Sequence, residues 1–161
     1  MWISDLSPYS DAATIVAVGW LARGHEYPLG VAEPEVYAKL QSLLTDPWQP
    51  TAAAGLHRCD LCLYAAEKAG SRNVFVPGKS IVYVAPELIT HYMNVHGYLP
   101  PREFCEAVIN CPPMGSAEYR RALLSAGGSG FLASAGATLG CVEGAEQQRG
   151  ADAQRDARGS R

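Results

Sequence analysis

Along the first 125 residues the apolar positions fall into short blocks, and the spacing within each block implies an element. Thr14 to Leu21 is apolar and β-branched and runs into the turn-rich Gly24 to Gly30, the pattern of a buried strand entering a loop. From Pro34, a favourable first residue of a helix, Val36, Leu40, Leu43 and Leu44 recur at helical spacing until Asp46-Pro47 closes the run. Asn73 to Pro77 and Ser80 to Ala85 are β-prone runs joined through Pro77-Gly78-Lys79, which predicts a hairpin. Pro86 then opens a second expected helix, with Glu87 at its positive end, Leu88, Tyr92 and Val95 on one face, and Gly97 as its stop. Pro100-Pro101 starts a third, whose Phe104, Val108 and Cys111 share a face before Cys111-Pro112-Pro113 ends it. A short fourth from Ser116 carries Tyr119 and Leu123.

The periodicity fades after residue 125. The stretch Gly127 to Arg161 holds eight of the sixteen glycines and has few large apolar residues, so it cannot bury enough surface to offset the entropy of ordering it. The expectation is an α+β protein. A single small domain over residues 1–125 combines a knuckle-like turn at Cys59-Asp60-Leu61-Cys62, a β-hairpin and three to four helices, and residues 126–161 form a disordered Gly/Ala/Gln/Arg-rich tail.

Charge narrows the partners. A formal net charge of −3 offers no basic excess for a polyanion, and Arg58, Lys68, Arg72 and Lys79 are the only nearby candidates for a basic face, so nucleic acid ranks last as a partner. The longest apolar run, Ala12 to Ala22, falls short of the ~20 residues that a membrane-spanning helix requires. The first ten residues show no basic region ahead of an apolar stretch, so the expected location is the cytoplasm.

In a reducing compartment a close pair of cysteines favours metal or redox chemistry over a disulfide framework. Cys59-Asp60-Leu61-Cys62 is such a pair, and the later His91 and His96 extend it to Cys-x2-Cys-x28-His-x4-His. Zinc takes tetrahedral thiolate and imidazole ligands, and a Cys-x-x-Cys turn can present both sulfurs to one ion while its own amides hydrogen-bond them. The long interval holds the expected hairpin, so the order becomes knuckle, hairpin, ligand-bearing helix, a treble-clef-like layout. A redox role for the pair lacks the thioredoxin-like βαβ setting that it would need. The bland alternative is a set of small buried cysteines beside hydrogen-bonded histidines.

The fourth ligand is open between His96, which is favoured, and His57 as the alternative. His91 and His96 are five apart, roughly 140° around an ideal helix, so both reach one ion only where the helix end is distorted, as Gly97 would allow. His57, two residues before Cys59, would point to the same side of an extended strand as Cys59. Glu87 lies one helical turn before His91, where it could orient the imidazole or act as a general base, or could simply favour the helix dipole. Two thiolates make zinc a weaker Lewis acid than three imidazoles would, which tilts the ion toward a structural task. No His-Glu-x-x-His, deaminase, phosphate-loop or nucleophile-elbow pattern is present. Cys105 and Cys111 read as core fillers, Cys141 as an incidental thiol in the tail, and His25 as a loop residue.

The stretches Gly55-Leu56-His57-Arg58-Cys59-Asp60-Leu61-Cys62, Tyr83 to Tyr92 and His96 to Phe104 resemble a family of small bacterial proteins of unassigned activity, the likeness spanning about residues 2 to 124. It implies a zinc-binding domain and brings no reaction, substrate or partner. Two functions follow as expectations. One is a zinc-stabilised binding module for a protein or small molecule; the other is a small zinc enzyme, a hydrolase or lyase with an open metal position.

Overall fold

The computed structural model describes residues 1–50, 56–62 and 69–130. It is α+β, with four helices and two small sheets among those residues. Residues 131–161 of the expected tail, Cys141 among them, and Lys68 lie outside the described residues.

Strand β1 (Ile15–Ala17) is shorter than its apolar run. Gly19 turns left-handed at φ 73°, and Asp5 accepts its amide at 2.8 Å, which pulls the chain out of the ladder. The amino-terminal segment covers one edge of β1 through bridges Ile3↔Trp20 and Pro8↔Val16. The other edge pairs in parallel with β5 (Val82–Pro86), which pairs antiparallel with β4 (Asn73–Pro77) in the register Asn73↔Pro86 to Pro77↔Val82. The order is therefore β1-β5-β4. Burial on both faces fits the continuous rather than alternating apolar character of β5.

The hairpin forms where expected, with Gly78 donating to the Ile81 carbonyl at 2.8 Å. Pro86 behaves differently from its expected role. It closes β5 opposite Asn73, and Glu87 adds one more bond to the Arg72 carbonyl at 2.8 Å, so helix α2 begins only at Ile89 and runs to Val95. Sheet pairing has overridden a local preference for a helix start.

Helix α1 (Pro34–Thr45) has Pro at its start, Glu35 in its first turn, and buries Val36, Leu40, Leu43 and Leu44 as its spacing predicts. Helix α3 (Arg102–Asn110) follows Pro101 and buries Phe104, Ala107 and Val108. Helix α4 (Ala117–Ser125) is capped by the Ser116 hydroxyl, which accepts the Tyr119 amide at 3.0 Å. Tyr119 in turn donates to the Phe75 carbonyl at 2.7 Å, tying α4 to β4. Packed structure runs on past the end of α4: Ala126 is fully buried, and Thr14 donates to the Gly127 carbonyl.

A second sheet stands apart from this core. Strands β2 (His57–Arg58) and β3 (Ala69–Gly70) pair antiparallel, with Cys59 to Cys62 leaving the end of β2. No helix among the described residues is long and apolar enough to cross a membrane.

Candidate metal centre

Cys59 and Cys62 come from the turn that leaves β2, and His91 and His96 from α2 and the residue just beyond it. Their four ligand atoms lie within 4.8 Å of one another. Cys62 Sγ is 3.3 Å from His91 Nε2, and His96 Nε2 is 3.4 Å from both Cys59 Sγ and Cys62 Sγ.

The angular problem posed by two histidines five apart is solved at the helix end. His96 lies outside α2 at φ −109° and ψ 3°, and Gly97 follows at φ 64°. The Tyr92 carbonyl accepts the amides of both His96 and Tyr98 at 3.1 Å, closing the helix tightly and swinging the His96 ring to the side of His91. The two imidazoles meet edge to face with centroids 5.0 Å apart.

Hydrogen bonding alone accounts poorly for this cluster. One imidazole nitrogen has a single lone pair or a single proton to offer, yet His96 Nε2 is approached equally by two sulfurs. A tetrahedral zinc shell with ordinary bond lengths has S···N edges of ~3.6 Å, within a few tenths of those seen. The donor set also suits the ion chemically, since two thiolates balance a divalent charge and two neutral imidazoles complete the shell. The site fits a metal ion.

Burial pushes the Cys59 thiol up, and the adjoining Cys62 sulfur adds to this, while the amides of Cys62 and Leu61 act the other way by favouring the thiolate. Those amides form the cradle expected of a Cys-x-x-Cys turn. Burial also holds His96 below its ordinary value, which favours the neutral ring that a metal ion would require.

His57 is placed beside the cluster and outside it. Its Nε2 lies 3.0 Å from the Tyr92 hydroxyl, and the Trp20 ring meets it edge-on at 5.4 Å. Trp20 is fixed in turn by donating to the Val84 carbonyl at 3.1 Å. Glu87 is engaged elsewhere: its carboxylate accepts Arg72 Nη2 at 2.9 Å and the amides of Ser71 and Arg72 at 3.2 and 3.3 Å. The Arg72 guanidinium, the largest influence, holds Glu87 below the usual carboxylate range. Glu87 thus joins the end of β3 to the start of α2. Cys105 and Cys111 pack as expected, Cys111 buried and Cys105 half-buried against the Pro100 carbonyl. His25 stacks on Trp2 at 4.1 Å in the loop.

Two contributors were not visible in the sequence. Tyr92 reads there as one more apolar position, yet its hydroxyl ends beside the cluster. Arg23 donates its backbone amide to Asp60 Oδ1 at 3.1 Å and its guanidinium to the Asp60 carbonyl, clamping the knuckle from 37 residues away.

A family model described as a domain of unknown function (DUF7919) matches residues 1–109. The chain belongs to that family. The match takes in all four cluster residues and ends within α3, leaving α4 outside it. No curated protein and no solved structure matches the chain.

Proposed function

We propose that this protein is a zinc-stabilised binding module, in which one ion held by Cys59, Cys62, His91 and His96 locks the knuckle to α2. The observation that carries this reading is the convergence of both sulfurs on His96 Nε2 with His91 alongside. Four protein donors satisfy tetrahedral zinc, which supports a structural ion over one with an open catalytic position. Glu87, the residue best placed in the sequence to serve such a position as a base, is engaged by Arg72. The sequence of knuckle, hairpin and helix agrees with a treble-clef-like arrangement, and a reducing cytoplasm would keep both thiols available.

Within this scheme His57 and Tyr92 are positioning residues. Their hydrogen bond fixes the base of β2 against α2, so that Cys59 is presented at the right depth. The surface so organised would serve a protein or small-molecule partner, with nucleic acid disfavoured by the charge balance.

The deciding experiment is metal analysis of the purified protein together with X-ray absorption at the zinc edge. About one zinc per chain, with two sulfur and two nitrogen neighbours, is the expected result. A shell in which solvent oxygen replaces one imidazole would favour the enzyme reading, and absence of metal after purification and zinc titration would overturn the module.

A further inference from the structure

An open cleft of about 460 Å³ separates the β4–β5 turn from α3, within the ~300–1,000 Å³ usual for small-molecule sites. Lys79, Ser80 and Tyr83 line it from the hairpin, and Glu103, Glu106 and Asn110 from α3. It shares no residue with the metal centre.

Tyr83 distinguishes this cleft from an ordinary surface groove. The residue is only 4% exposed, with its ring pinned edge-to-face by Phe104 at 5.6 Å and resting on Gly78, where an added Cβ would come within 2.8 Å of the ring. Among the described residues its hydroxyl has no hydrogen-bond partner, although a buried tyrosine normally finds one. No fully enclosed side-chain oxygen or nitrogen in the described residues lacks a partner, so this hydroxyl must reach the cleft surface. A rigid, nearly buried side chain therefore offers one unsatisfied polar atom to whatever occupies the cleft.

The charges beside it have both signs. Glu106 is paired with Arg102 at 2.8 Å, whereas Glu103 and Lys79 have no ion-pair partner among the described residues. Burial raises the Tyr83 hydroxyl, and the nearby carboxylates of Glu103 and Glu106 raise it further, so it stays protonated and can both donate and accept. A simple anion would face two carboxylates, and a simple cation would leave Lys79 unanswered. Pro77, Ile81 and Ala107 supply an apolar floor for a small side chain.

We propose that this cleft binds a short zwitterionic peptide, its ammonium set between Glu103 and the Tyr83 hydroxyl oxygen and its carboxylate at Lys79. The proposal gives the binding module a ligand class and does not depend on the identity of the metal.

The test is titration of the full chain with alanyl-alanine, followed by amide chemical shifts, beside N-acetyl-alanyl-alanine and alanyl-alanine amide. The free dipeptide should move the amides of Gly78 to Tyr83 and of α3, with a dissociation constant of about 1 mM or below. Each blocked peptide should bind roughly tenfold more weakly, because each lacks one charge-assisted contact. Glu103→Gln, Lys79→Met and Tyr83→Phe should each weaken binding about three- to tenfold while resonances of α4 and the metal centre stay in place. Absence of shifts at ~20 mM peptide would overturn the proposal. So would equal binding of the blocked forms, or shifts confined to residues outside the cleft. Peptide shifts in a chain that takes up no zinc on titration would overturn the metal reading alone.

Discussion

The two sheets of this molecule are held together by different forces. In β1-β5-β4 nearly every residue is buried, and Ala17, Val74, Val76, Val82 and Val84 are fully so, packed beneath α1, α3 and α4. In β2-β3 each strand has two residues, Arg58 is exposed, and His57 and Ala69 are only half-buried. A hairpin that short has too little apolar surface to persist by itself. Burial explains the first sheet, while the second needs tethers, and those present are the Cys/His cluster, the His57–Tyr92 bond, the Arg23–Asp60 clamp and the Glu87–Arg72 pair. In one small chain, packing supplies stability where the sequence is apolar, and where it is polar the contacts present are hydrogen bonds, an ion pair and a Cys/His cluster that could hold a metal.

The comparison breaks most visibly at the sulfurs. Cys59→Ser should take bound zinc from about one per chain to about zero, and cost ~5 kcal/mol or more of apparent stability in zinc-saturated buffer. Hydrogen exchange should show the loss starting at β2-β3 while β4 and β5 keep slower amides. Simultaneous loss of protection in both sheets would mean that they are one cooperative unit.

The complementary change is Leu40→Ala, which opens a cavity under the main sheet. Leu40 is fully buried, so a cost of about 2–5 kcal/mol in denaturant unfolding is expected, with zinc stoichiometry unchanged. Metal loss at this position would tie the site to the core more tightly than the structure suggests.

Replacing His57 sharpens the boundary between ligand and support. His57→Ala should retain the metal but weaken its affinity roughly 10- to 100-fold in a chelator competition, whereas His96→Ala should abolish tight binding. Equal losses in the two variants would make His57 a ligand.

The smallest effect is expected at Glu87. Its carboxyl lies below its ordinary value in the fold, so its contribution is fully present above the unfolded value and disappears as pH falls through the folded one. Both partners are partly exposed, so Glu87→Gln should cost about 1 kcal/mol or less at neutral pH, and the gap from the parent protein should close in acid. Protonation of the sulfur and imidazole donors should release the metal before that gap closes.

Much of this architecture can be read along the chain, and the exceptions share a cause. The helices α1, α3 and α4 are legible because their signals are local: Pro34, Pro101 and Ser116 open them, and their apolar stripes recur at helical spacing. The start of α2 is misread at Pro86 because the same residue pairs with Asn73 across the hairpin, and pairing depends on a partner 13 positions away. Glu87 follows from that error, its neighbour being Arg72 rather than His91.

The cluster divides in the same way. Residue types and the Cys-x-x-Cys interval are enough to nominate Cys59, Cys62 and His91, because the chemistry of zinc restricts ligands to a few side chains. The choice between His57 and His96 is not in the spacing. It rests on the left-handed turn at Gly97, which frees His96 from the helix, and on the Tyr92 hydroxyl, which occupies His57.

The amino-acid order alone determined the α+β class, the helices with local start signals and the residue types able to take up an ion, since these depend on neighbours a few positions apart. Tertiary structure decided which histidine joins the sulfurs, where Glu87 turns and that the Tyr83 hydroxyl opens onto a cleft. Each of those outcomes depends on groups brought together from distant parts of the chain, where backbone direction and side-chain competition set the geometry that residue spacing does not contain.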